Sequence, residues 1–359
     1  MTPYTRRRFL KLGCQTLAGS GLALGAHPAL TLARAADSDT QPAEGYRALV
    51  CVYLEGGCDG FSLMVPTGSY EHQAYAASRG QLAVPLSELL DLQGGGSPLG
   101  LHPSAGPLQP LFDDEKLAMI ANVGTLVEPT SREQYLNKEV DVPAQLFSHS
   151  DQSIQWQQLQ GRDRATEGWG ARTAEYLSEM QDRDYLTSIS LAGSNYWQSG
   201  SGQRPFALTE SGVLQYQGMD SSNGWQQPRR EAFERVMNLP RRHVFTKAYA
   251  DLQKRAMSIT TELGQVLEGN AGLFSDQPPE NSLAQKLNMV AQLIAAQDQL
   301  GLKRQIYYVS MRGFDVHDNQ SRELPELFAE LTDALSFFQN KIDTLGMGPN
   351  VTTFTASDF

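Results

Sequence analysis

The chain has 359 residues, 40 acidic against 29 basic, and a formal net charge of −11. This length suits one large α/β domain or two smaller ones, and the acidic balance argues against nucleic acid, whose phosphate backbone demands a clustered basic footprint. The densest basic pairs, Arg229-Arg230 and Arg241-Arg242, are short and read as solvated helix ends.

Thr5-Arg6-Arg7-Arg8-Phe9-Leu10-Lys11 is an almost complete twin-arginine export motif. The weakly apolar stretch 12–32 follows it, and Ala33-Arg34-Ala35 supplies a small-x-small cleavage site. This grammar predicts a removable twin-arginine signal peptide over residues 1–35, read by the translocase as an address and leaving no stable membrane anchor. The expected destination is the periplasm or the exterior. Removal takes away five basic residues and no acid, moving the net charge from −11 to −16. No later stretch is long and apolar enough to span a bilayer.

Ala48 to Leu54 is a continuous apolar run, the mark of a strand buried on both faces, and it stops at Glu55-Gly56-Gly57-Cys58-Asp59-Gly60. Cys51 and Cys58 pair if the chain reverses at the two glycines; otherwise Cys51 is buried on the strand and Cys58 stays unpaired. Further strands are expected at 117–121, 306–309 and 351–355. Residues 194–227, rich in Gly, Ser, Gln and Asn, read as an inserted loop or cap, with Asn195, Tyr196 and Trp197 as substrate contacts. Two long amphipathic helices are expected at 245–267 and 282–302, so the insertion extends over about 194–300. A third helix, 324–345, lies between the last two strands and stops at Gly346, which makes a crossover unit and a parallel sheet. The fold class is therefore α/β, a doubly wound, mostly parallel sheet flanked by helices.

Ligands of such sheets bind beyond the carboxyl ends of the strands. Glu55 and Asp59 follow the first strand, Asp315, His317 and Asp318 the penultimate one, and Asp358 the last. Carboxylates and imidazole gathered at one edge are donors suited to Zn, Mn or Mg, and a nearby hydroxyl can serve as nucleophile. Singly, Asp59 also reads as a turn residue, Asp315 and Asp318 as helix caps, and His317 as a surface histidine.

Four separated segments carry a family resemblance: 54–61 (LEGGCDGF), 147–152 (FSHSDQ), 313–320 (GFDVHDNQ) and 355–359 (TASDF). In this order they resemble the secreted bacterial family called domain of unknown function 1501, from about residue 46 onward. That family is usually placed in the alkaline-phosphatase-like superfamily, with sulfatases and cofactor-independent phosphoglycerate mutases. The resemblance implies a two-metal centre and hydrolysis or transfer of small anionic phosphate or sulfate esters. It assigns Asp59, Asp315, His317 and Asp358 as metal ligands, with Glu55 as an alternative to Asp59. Ser148 is the implied nucleophile with Ser150 as its alternative, and His149 is a neighbour that binds or donates. Two departures are visible: Asp315 and His317 are closer in sequence than the superfamily pattern, and Phe359 stands where a histidine ligand would be. Since family members continue past this motif, the chain reads as C-terminally truncated and the sheet as incomplete. Three readings follow: a metal-dependent ester hydrolase, an inactive binding or scaffold protein of the same fold, and an inactive fragment.

Overall fold

The apolar run at 48–54 forms strand β1 (Arg47–Glu55), in which Val50 to Leu54 are all buried. Alternate side chains enter two different cores: Val50, Val52 and Leu54 join an aliphatic one, Cys51 and Tyr53 an aromatic one. That division is what burial on both faces of a pleated strand requires. The structure is a computed structural model that describes residues 45–359 apart from 93–96, 162–165, 182, 203, 214–217, 219–223 and 275. The signal expected over residues 1–35 lies outside the described residues.

After β1 come α1 (Gly60–Leu63), β2 (Met64–Pro66), α2 (Ser69–Arg79), β3 (Leu90–Asp91), β4 (Leu99–Leu101), α3 (Leu108–Asp113) and α4 (Arg132–Asn137). The middle holds α5 (His149–Gln158), α6 (Trp169–Ser178), β5 (Ser188–Ser190), β6 (Phe206–Thr209), β7 (Gly212–Val213), α7 (Gln227–Met237), α8 (Val244–Asn270) and α9 (Ser282–Ala295). The chain closes with β8 (Arg304–Arg312), α10 (Gln320–Thr344) and β9 (Val351–Ser357).

Six strands form one sheet in the order β7-β6-β5-β8-β1-β9. All neighbours are parallel except the β6–β7 pair. The α/β class with a mostly parallel, helix-flanked sheet is thus as expected. β8, α10 and β9 make the expected crossover, with β1 between the two strands. α10 ends beside Gly346, whose φ of 69° suits the stop. α9 and α10 bury Leu287, Ile294, Phe328 and Phe338 in the aliphatic core. The opposite face is covered by aromatic residues, among them Trp156 of α5 and Trp169 of α6. A separate antiparallel sheet, β2-β4-β3, has its own small core around Leu101.

Several expectations are corrected. Residues 117–121 join no sheet: Leu117 and Met119 lean on the small core while Ile120 is 78% exposed, so an apolar run without a pairing strand stays irregular. The helix expected to reach 302 ends at Ala295. Trp197 is no substrate contact, because it is fully buried among Trp169, Tyr308 and Phe354. Within 194–300, β6 and β7 extend the main sheet and α9 belongs to its core. Of the two alternatives for the cysteines the second holds: Cys51 and Cys58 are both free thiols, packed against different cores. Burial, reinforced by the Asp59 charge, pushes the Cys58 pKa up to about 12.

Candidate active site

Strand register brings the motif residues together. β1 pairs Glu55 with Arg312 of β8 and Leu54 with Ser357 of β9, so all three strands leave the sheet at one edge. Asp358 is the first residue beyond β9, and Asp315 lies three beyond β8. The Gly56-Gly57 turn fits between them in left-handed backbone, with φ of 112° and 84°. A Cβ on Gly56 would lie 2.3 Å from the Asp315 amide nitrogen, and one on Gly57 2.5 Å from the Phe359 ring. Only glycine allows both the turn and these approaches.

Asp358 is buried, and burying a carboxylate is costly unless donors surround it. Its Oδ1 accepts from Tyr53 Oη and, at 3.1 Å, from Ser153 Oγ. Oδ2 lies 3.1 Å from the Gly56 amide and 2.9 Å from His149 Nδ1. Burial first, and then the Asp358 carboxylate, hold the Tyr53 pKa far above its ordinary value, so the phenol stays protonated and donates. The other ring nitrogen of His149, Nε2, is 3.4 Å from Asp315 Oδ1, which also pairs with His317 Nε2 at 2.7 Å. The Phe359 ring packs on the His149 imidazole with centroids 4.5 Å apart. Asp315, His317 and Asp358 are therefore linked through His149.

His149 opens α5, and Ser148 is its N-cap. The Ser148 hydroxyl donates to Asp151 Oδ2 at 2.7 Å and lies 3.2 Å from Ser150 Oγ. The Ser148 hydroxyl also caps the Asp151 amide of this ten-residue helix, at the end where the helix dipole favours negative charge.

Asp59 belongs to a different network. It caps α1 through Ser62, forms an ion pair with Arg79 of α2, and accepts from Gln320 Nε2 at 2.6 Å. Ser62 and Gln320 also line a cavity of 320 Å³ together with His102, Glu88 and Leu324. Glu55, the alternative to Asp59, pairs with Arg312 at 3.0 Å. Asp318 lies in the loop before α10, whose N-cap is Asn319. Among the described residues, no three His, Cys, Asp or Glu side chains already stand together as a metal-holding group.

Tyr53, Ser153, Arg79 and Gln320 were not singled out from the sequence. Ser153 is four residues after His149 and so shares its helix face, and Tyr53 interrupts an aliphatic run; both signals were readable. Arg79 reaches Asp59 from another helix, which no local pattern reports.

A family model described as "Protein of unknown function (DUF1501)" matches residues 46–359. No curated protein and no solved structure matches the chain.

Proposed function

We propose that this chain, which belongs to the DUF1501 family over residues 46–359, is an exported hydrolase of small anionic phosphate or sulfate esters centred on His149. The carrying observation is the chain Asp358–His149–Asp315–His317 beyond the carboxyl ends of β9 and β8, the parallel strands that flank β1, beside the N-terminus of α5. Imidazoles held between carboxylates are suited to moving protons during ester cleavage. Ser148 donates to Asp151, the direction in which a hydroxyl must lose its proton to attack, and Ser150 is the alternative nucleophile. The amides of α5 orient an anionic group.

Asp151, Asp315 and Asp358 bring negative charge here, so an anionic ester needs added positive charge. A divalent ion, Zn, Mn or Mg, is part of the proposal: His149, Asp315 and His317 carry the donors that would hold it. When bound, it supplies Lewis acidity and charge neutralisation. Asp59 and Asp358 are less suited to hold it, since protein donors already occupy them. The alkaline-phosphatase-like superfamily and twin-arginine export belong to the same proposal.

Protein purified from the periplasm should turn over aryl phosphate or aryl sulfate with one of these ions present. His149→Ala should lower turnover by about 100-fold or more, and Ser148→Ala should abolish it unless Ser150 is the nucleophile. Absence of turnover with every ion and both ester classes would remove the hydrolase reading. Export should fail when Arg6 and Arg7 are both changed to Lys; continued export would remove the signal assignment.

One observation favours a second reading, an inactive binding or scaffold protein. The Phe359 ring packs against the His149 imidazole, at the position where the family resemblance implies a histidine ligand. That reading predicts partner capture unchanged in Ser148→Ala and no ester cleavage in either form.

A further inference from the structure

Asp358 is expected from the sequence to bind metal, but its surroundings suit another task. An ionised carboxylate offers about four lone-pair sites. Here Tyr53 Oη and Ser153 Oγ approach Oδ1, and Gly56 N and His149 Nδ1 approach Oδ2. Each donor comes from an ordered element: β1, the turn after it, or α5. An ion reaching this carboxylate would have to displace one of these donors.

His149 has a carboxylate at each ring nitrogen, and in the neutral imidazole only one can receive the proton. Asp358 is the nearer, at 2.9 Å against 3.4 Å, and it is buried where Asp315 is half exposed. A separation of 3.4 Å is beyond the usual N–H···O range, and Asp315 Oδ1 has a closer partner in His317. From this geometry we infer that Asp358 is a positioning residue for His149, not a metal ligand. It keeps the proton on Nδ1 and leaves the Nε2 lone pair facing Asp315 and His317. Tyr53, Ser153 and Gly56 fix the carboxylate in turn. The second-sphere carboxylate that sets a histidine's tautomer is a general device in metal sites and in acid–base catalysis. The catalytic use of that lone pair rests on the hydrolase reading; the tautomer does not.

Long-range proton–nitrogen correlation spectra of the ¹⁵N-histidine-labelled full chain read the tautomer directly. The His149 signal is assigned by its loss in His149→Gln. The expected result is one neutral tautomer, Nδ1–H, unchanged in Asp315→Asn. In Asp358→Ala, which removes the acceptor at Nδ1, it should switch to Nε2–H, with the proton on the nitrogen that faces Asp315. Nε2–H in the parent protein, or a switch in Asp315→Asn, would overturn the inference. So would an unchanged spectrum in a folded Asp358→Ala variant. If that variant does not fold, the parent and Asp315→Asn spectra still decide. Absence of ester turnover alongside Nδ1–H removes the hydrolase reading alone, and turnover alongside Nε2–H removes the positioning role alone.

Discussion

Asp358 and Asp59 both follow strands of one sheet, both accept several hydrogen bonds, and both sit in family-like motifs, yet they end in opposite chemical states. Arg79 gives Asp59 a permanent cation, and Ser62 and Gln320 complete a static clasp joining α1, α2 and α10. Asp358 instead meets an imidazole, whose second nitrogen points away toward Asp315 and His317. The number of partners does not distinguish the two carboxylates. What separates them is whether a partner can still exchange a proton or take a ligand.

The largest expected effect tests the floor beneath Asp358. Trp197 is fully buried against Trp169 and Tyr308, so Trp197→Ala should cost about 3–5 kcal/mol in urea unfolding. A loss under about 1 kcal/mol would detach the aromatic core from the stability of this region. Next comes Asp358→Asn, which replaces the charged acceptor of these contacts with a neutral amide carrying one acceptor oxygen, and should cost about 1–3 kcal/mol. Its denaturation midpoint should fall further than that of Arg79→Ala. The Arg79–Asp59 pair is partly exposed, with side chains 24% and 17% accessible, so its loss should cost about 1–2 kcal/mol. The reverse order would mean that the Asp59 clasp is the more demanding of the two.

The smallest effect is a pH dependence on the Asp59 side. His102 accepts from the Ser104 amide through Nδ1 and packs edge-on to Phe328. Burial lowers its pKa, partly opposed by Glu88. The folded state thus binds this proton less readily than the unfolded chain. Above the ordinary histidine value of about 6.5 neither state is protonated there, and as pH falls below it the unfolded state gains. His102→Asn, which keeps an acceptor for the Ser104 amide, should flatten the decline in unfolding free energy between about pH 7 and 5. An unchanged slope would assign that decline to other groups.

Much of the architecture was legible before any coordinates. β1 and β8 read clearly because each is buried on both faces, and α10 because its apolar residues recur at helical spacing. β5, β6 and β7, with two to four residues each, are too short to show a period. Residues 117–121 have the composition of a strand, but composition says nothing about whether a neighbour is present to pair with.

For the site, the sequence alone determined the inventory: the glycine turn, the acids beyond the strands, and the Ser148-His149 pair. These depend on local chain chemistry, on turns, caps and strand ends, which act over a few residues. Only the tertiary structure decided their partners. Asp59 is 20 residues from Arg79, and Asp358 is 209 from His149. Proton position, burial and charge pairing are set by atoms a few ångströms away, and strand register chose which atoms those are.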